Sequence, residues 1–243
     1  MVTHIPRNPI GRLLAGLLAG AALSLGAAAC SYAAQPGPIA SVPAALVDSM
    51  PGPAGKLQTA IVSGGCFWGV QGVFQHVRGV TQAVSGYAGG GAETAKYDVV
   101  STGATGHAES VMITFDPRQI SYAQILRIFF SVATDPTQVN QQYPDEGTQY
   151  RSEIFYLNGE QKKVAEAYIA QIDNAKIFRT PIATHVDPNT GFYRAEDHHQ
   201  DFLRLHPTQG YIARFDLPKI AALKVAFPAY YRDTPITTAR PAA

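Results

Sequence analysis

Cysteine is scarce: Cys30 and Cys66 are the only two in 243 residues, too few for a disulfide scaffold even in an oxidising compartment. Runs of Lys or Arg are missing. With 19 basic residues against 18 acidic ones, the chain offers no electrostatic track for a nucleic-acid backbone, and no nucleic-acid partner is expected. No P-C-x-x-C pair accompanies the His107, Ala108, Glu109 triplet. No third ligand lies at a metal-site interval from Asp197, His198 and His199, so neither a deaminase zinc nor another metal centre is expected. A glycine-rich dinucleotide fingerprint and internal repeats are also lacking. What length and a 46% apolar composition do allow is one sizeable core and one principal domain.

The first 30 residues read as a signal peptide or lipoprotein signal. Arg7 and Arg12 precede "LLAGLLAGAALSLGAAAC", a small and apolar run ending in alanines suited to a signal peptidase. Cys30 sits where a lipoprotein would be acylated, although the usual leucine three residues upstream is absent. An uncleaved membrane anchor is the alternative. The expectation is an exported chain, periplasmic or membrane-anchored in the cell envelope. Residues 31–55, rich in Pro, Ala and Gly without a sustained period, read as a tether. The folded domain is expected over residues 56–231, with 232–243 as a polar tail.

Within the domain, "KLQTAIVSGG" is a short apolar strand running into glycines, and Val70, Val73, Phe74 and Val77 recur at helical spacing behind it. "GVTQAVSGYAGG" and "ESVMITF" read as two more strands, the second ending at the Asp116, Pro117 turn. Ser121 can cap a helix whose inner stripe is Ile125, Leu126, Phe129 and Val132. "RSEIFYL" is a strand, Asn158 and Gly159 a turn, "EQKKVAEAYIAQIDN" an amphipathic helix and "TPIATHV" another strand. Strands alternating with helices predict a layered α/β domain.

Cys66 lies at the junction of the first strand and helix. Unpaired amides and the positive end of the helix dipole there favour thiolate over thiol, and flanking glycines leave the sulfur open to approach. Phe67 and Trp68 follow directly and suggest a small apolar cage. From these residues alone three functions remain open: a redox thiol, a cysteine hydrolase with His107 or a histidine of "DHHQ" as base, and a binding module without turnover.

"GCFWGVQ", "SGYAGG", "KYDVVSTGATGHAESV", "YPDEGTQYRSEIFY" and "FYRAEDHHQDF", in that order, closely resemble the A-type peptide methionine sulfoxide reductases. The resemblance runs from about Ala60 to Tyr231. It implies a two-layer α/β sandwich, a mixed sheet with helices packed on it around a ferredoxin-like core. It also implies reduction of the S epimer of methionine sulfoxide, free or in proteins, by a monomer without metal, flavin or other cofactor. Carried over by motif, Cys66 is the nucleophile and Glu109 the acid that protonates the sulfoxide oxygen. Tyr97 and Tyr150 donate phenolic hydrogen bonds to that oxygen, Asp145 completes the polar side, and Phe67 and Trp68 house the methyl group. Glu109 can serve as an acid near neutral pH only if burial raises its pKa. The chain departs from the family where many members carry a resolving cysteine after Gly-Tyr: Ile212 follows Tyr211, and no cysteine follows Cys66. A sulfenic acid on Cys66 is therefore expected to be reduced by an external thiol, from a thioredoxin-like protein or a small molecule. Gln71 and Phe202 also stand where a glutamate and a tyrosine are common.

Overall fold

The structure, a computed structural model, describes residues 42–49 and 55–238. The amino-terminal run read as an export signal, Cys30, and most of the segment read as a tether lie outside the described residues. Among those residues no helix is long and apolar enough to cross a membrane.

In chain order the elements are β1 (Gln58–Gly64), α1 (Phe67–Gln75), β2 (Val80–Ala88), α2 (Tyr97–Val100), β3 (Ala108–Phe115) and α3 (Tyr122–Ile128). A two-residue ribbon follows, β4 (Gln141–Gln142) and β5 (Asp145–Glu146), then β6 (Ser152–Tyr156), α4 (Gly159–Asn174), β7 (His185–Pro188), β8 (Phe192–Arg194), α5 (Phe202–Leu205) and α6 (Leu217–Ala226). Six strands form one sheet in the order β7-β6-β1-β3-β2-β8. Every pairing is antiparallel except β6 with β7. The inner unit β1-α1-β2-β3-α3-β6, ordered β6-β1-β3-β2, is the split βαβ arrangement of the ferredoxin-like core, to which β7 and β8 add one edge each.

Period-two alternation decides which face each strand residue serves. Ala60 and Val62 of β1 and Val111, Ile113 and Phe115 of β3 face the main core beneath the helices. Ile61 packs with Ala88, Ala108 and Phe155 in a smaller cluster, with Met112 and Phe192 against it. Glu109, two residues before Val111, shares its parity and points toward the helices. Ser121 and Asn158 cap their helices by accepting from the amides of Gln124 and Gln161, at 3.2 and 2.9 Å. α4 buries Val164, Ala165, Tyr168 and Ile172 as a single stripe. β8 has no counterpart in the sequence reading, because three residues are too few to show alternation. The α3 stripe runs on as a π-helical turn, Phe129–Ala133.

Two segments differ from their reading as featureless. Residues 42–49 lie strapped across α3 and α4: Val42 is fully buried, Arg127 Nε donates to its carbonyl at 2.9 Å and Tyr168 Oη donates to that of Pro43 at 2.6 Å. Gln171 bonds both Ala44 and Leu46, and the Ala123 amide donates to Asp48 Oδ1 at 3.0 Å. The polar tail is held as far as Thr238. Its hydroxyl donates to the Ala83 carbonyl at 2.8 Å and its amide to Asp201 Oδ1 at 2.9 Å. In both cases helix and strand groups bind the segment through scattered backbone and side-chain groups, which leaves no period in the segment's own sequence.

Candidate active site

β1 enters α1 through a turn that only glycine satisfies. Gly65 has φ of +90°, and a Cβ there would stand 2.5 Å from the Gln142 side chain. Cys66 holds the N-cap position of α1 without a capping hydrogen bond from its side chain. The Phe67 amide, unpaired within the helix, donates to Glu109 Oε2 at 2.9 Å. One hydrogen bond thus ties the general-acid candidate of β3 to the residue following the candidate nucleophile.

All seven residues singled out from the sequence line one cavity of about 130 Å³: Cys66, Phe67, Trp68, Tyr97, Glu109, Asp145 and Tyr150. Tyr211 is its eighth lining residue. The volume is well below the roughly 300 Å³ at which pockets for whole small molecules begin, and suits the tip of a side chain. Phe67 and Trp68 form the apolar wall. The indole stacks on Phe202 with ring centres 3.8 Å apart, and Trp68 Nε1 donates to His199 Nδ1 at 3.2 Å. Neither the Tyr97 nor the Tyr150 phenolic oxygen has a hydrogen-bond partner among the described residues, so both hydroxyls are available to an occupant. Asp145 differs: its Oδ2 accepts from the Tyr211 hydroxyl, so its polar capacity is partly used within the protein.

Burial holds Glu109 protonated well above the usual carboxylate range, up to about 8, against the opposing pull of the Phe67 amide; the Asp145 and Asp216 charges add to the rise. Burial also pushes the Cys66 thiol up. The charges of Glu109 and Asp216 push it further, and the Trp68 amide opposes them. This corrects the expectation of a thiolate favoured by the helix N-terminus. The dipole is present, but Cys66 is only 9% exposed among carboxyl groups, and desolvation outweighs it. At neutral pH the pocket presents a thiol beside a neutral carboxylic acid.

Four further residues support the site: the resemblance gave the stretch around Glu196 and His199 only as a support, and sequence reasoning missed Asp216 and Tyr211. Glu196 accepts from the Tyr97 amide at 2.9 Å and from the Tyr87 hydroxyl at 2.8 Å, fixing α2 against the sheet. His199 orients the indole. Asp216 is fully buried, with Lys219 Nζ 3.2 Å from Oδ1 and no hydrogen-bond partner for Oδ2 among the described residues; its carboxyl occupies the space that a side chain on Gly69 would need. Tyr211 was noted only for the residue after it. The one available signal was Gly69 itself, a glycine inside a helix that must leave room for something. His107, the base a hydrolase would need, instead closes a loop. The Gly90 amide donates to its Nδ1 at 3.2 Å, and its Nε2 lies 2.9 Å from the Gly91 carbonyl as donor.

The Gln71 side chain, where a glutamate is common, sits in a buried neutral network. It donates to Gln200 and Ala83 and accepts from the Asp201 amide.

The peptide methionine sulfoxide reductase family matches residues 58–227. The peptide methionine sulfoxide reductase MsrA 2 of Mesorhizobium japonicum is 58% identical over 179 residues, covering 74% of this chain and 92% of the relative. MsrA 2 of a Synechocystis species is 51% identical over 163 residues, 67% of this chain and 76% of the relative. Among solved structures, reduced Mxr1 from Saccharomyces cerevisiae superposes with a TM-score of 0.55 at 30% identity, covering 65% of this chain and 90% of that one. Methionine sulfoxide reductase A of Corynebacterium diphtheriae gives 0.52 at 30% identity, covering 71% and 86%. A thiol and a protonated carboxyl at one helix N-terminus, in a chain so similar over its whole folded part, lead to one conclusion: the chain belongs to the A-type peptide methionine sulfoxide reductase family.

Proposed function

We propose that the protein reduces the S epimer of methionine sulfoxide, free or in proteins, to methionine, with Cys66 as nucleophile and Glu109 as acid. The observation that carries this reading is the convergence of the Cys66 sulfur, the protonated Glu109 carboxyl and two unpartnered phenols on one small cavity. A sulfoxide sulfur is electrophilic only when its oxygen is protonated or strongly hydrogen bonded, and Glu109, Tyr97 and Tyr150 supply three donors for one oxygen. As Glu109 gives its proton to that oxygen, it takes up the thiol proton, and the Cys66 sulfur attacks the sulfoxide sulfur. The S–O bond breaks as the oxygen passes to the Cys66 sulfur, the bond between the two sulfurs breaks with it, Cys66 is left as a sulfenic acid, and the thioether leaves as methionine. Thiol plus sulfoxide has become sulfenic acid plus thioether, with the sulfoxide reduced by two electrons and the cysteine oxidised by two.

Recycling falls to an external thiol, because no cysteine follows Cys66. Two electrons from a thioredoxin-like protein or a small dithiol restore the Cys66 thiol, and the oxygen leaves as water. The basic, then apolar, then alanine-rich amino terminus supports export to the cell envelope, where oxidants meet exposed methionines. Whether Cys30 is acylated or removed with the signal is read from the mass of the mature amino terminus.

The test is chromatographic: methionine is released from its S sulfoxide, and not from the R epimer, with dithiothreitol present, and Cys66→Ser releases none. Without reductant, a mature chain lacking Cys30 yields about one methionine per protein and gains one oxygen on Cys66 by mass spectrometry. Turnover of an activated ester without sulfoxide reduction would instead favour the hydrolase reading.

A further inference from the structure

Tyr211 reaches the cavity from the carboxy-terminal side of the domain, and two contacts join its segment to the β4-β5 ribbon. Its hydroxyl donates to Asp145 Oδ2, and Phe215, in the π-helical turn Ile212–Asp216, meets the Tyr143 ring edge-on at 5.8 Å. Behind these contacts Ile212 and Asp216 are fully buried, so the turn is anchored in the core. The Tyr211 ring stands perpendicular to Trp68, with centres 6.1 Å apart. It therefore adjoins the apolar wall made by Phe67 and Trp68, whereas Tyr97 and Tyr150 keep free hydroxyls toward the polar side. A phenol whose hydrogen is committed to a carboxylate offers an occupant its ring rather than its donor.

We infer that Tyr211 is a specificity-determining residue that closes the methyl compartment of the cavity, and that Asp145 is the positioning residue that fixes its ring. This rests on the sulfoxide reductase reading above. With the third wall in place, a cavity of about 130 Å³ accepts a methyl group on the sulfoxide and resists a longer alkyl group. One methylene in an apolar pocket discriminates by roughly 10- to 200-fold, so a preference for methyl over ethyl sulfoxides in that range is expected of the parent chain.

The experiment compares kcat/KM for the S epimers of N-acetylmethionine sulfoxide and N-acetylethionine sulfoxide in the full chain. Tyr211→Ala should lower the methyl-to-ethyl ratio by about tenfold, chiefly through loss of activity on the methyl substrate and gain on the ethyl one. Tyr211→Val carries the same criterion if the alanine variant does not fold. Asp145→Asn, whose amide oxygen still accepts the phenolic hydrogen, should keep the parent ratio, and Asp145→Ala should lower it. A ratio in Tyr211→Ala within about twofold of the parent, with both rates reduced together, overturns the inference and leaves the reductase reading standing. A parent chain that turns over neither sulfoxide sinks that reading and the inference with it.

Discussion

Glu109 concentrates the conflict between stability and chemistry at one side chain. Its carboxyl keeps its proton to about pH 8 in the folded chain, against an ordinary value of 4.5. Across that window the folded state holds a proton that the unfolded state has lost. Its penalty on stability is therefore absent below the window and grows as pH rises through it. Glu109→Gln, whose amide oxygen still accepts from Phe67, should raise the melting temperature by several degrees at pH 8 and hardly at all at pH 5, by calorimetry. The same substitution should cost roughly a hundredfold in kcat, the usual scale for losing a general acid. In the parent, kcat should fall as pH passes about 8, where Glu109 ionises. At this scale the motif around "GHAE" was enough to single out the residue. Its burial was not legible, because it depends on Phe67 and Tyr150 arriving from elements distant in the chain. The Cys66 expectation failed for the same reason: a helix N-terminus can be read locally, whereas desolvation and the Asp216 charge cannot.

The contact of α1 with the amino-terminal end of α6 acts on the site from behind. Asp216 precedes α6 without capping it and turns its carboxyl toward Gly69, where the missing side chain makes room. Gly69→Ala should therefore destabilise the fold by about 1–3 kcal/mol through overpacking, despite the better helix propensity of alanine; denaturant titration measures this. Asp216→Asn removes a charge that pushes the Cys66 thiol up, and should speed alkylation of Cys66 by iodoacetamide severalfold at pH 8. An unchanged alkylation profile would deny Asp216 that influence. The elements read from the sequence, β1, α1, β2, β3, α3, β6 and α4, are the longer ones. Apart from the ten-residue α6, the pieces it did not reveal are short: the β4-β5 ribbon that carries Asp145, the edge strand β8, and the turn Ile212–Asp216 beyond Tyr211. They hold their shape through tertiary contacts rather than their own pattern.

At the scale of the described residues, the segments that flank the sheet, 42–49 and the stretch up to Thr238, stabilise what the sheet alone does not cover. The strap at 42–49 joins α3 to α4 and buries Val42. A chain starting after residue 49 should be less stable than one starting at 42 by about 2 kcal/mol, the scale of one buried valine with a few hydrogen bonds. Thermal denaturation of the two truncations decides it. The placement of α1 also sets the optical character of the protein. The chain contains a single tryptophan, and that indole lies in the pocket wall, stacked on Phe202 and bonded to His199. Tryptophan emission, excited selectively over the tyrosines, thus originates at one place, next to the reacting sulfur. Arrival of a sulfoxide, the burst of oxidation and the return of reducing equivalents can each be timed as a change in light, in a stopped-flow cell, with no dye attached.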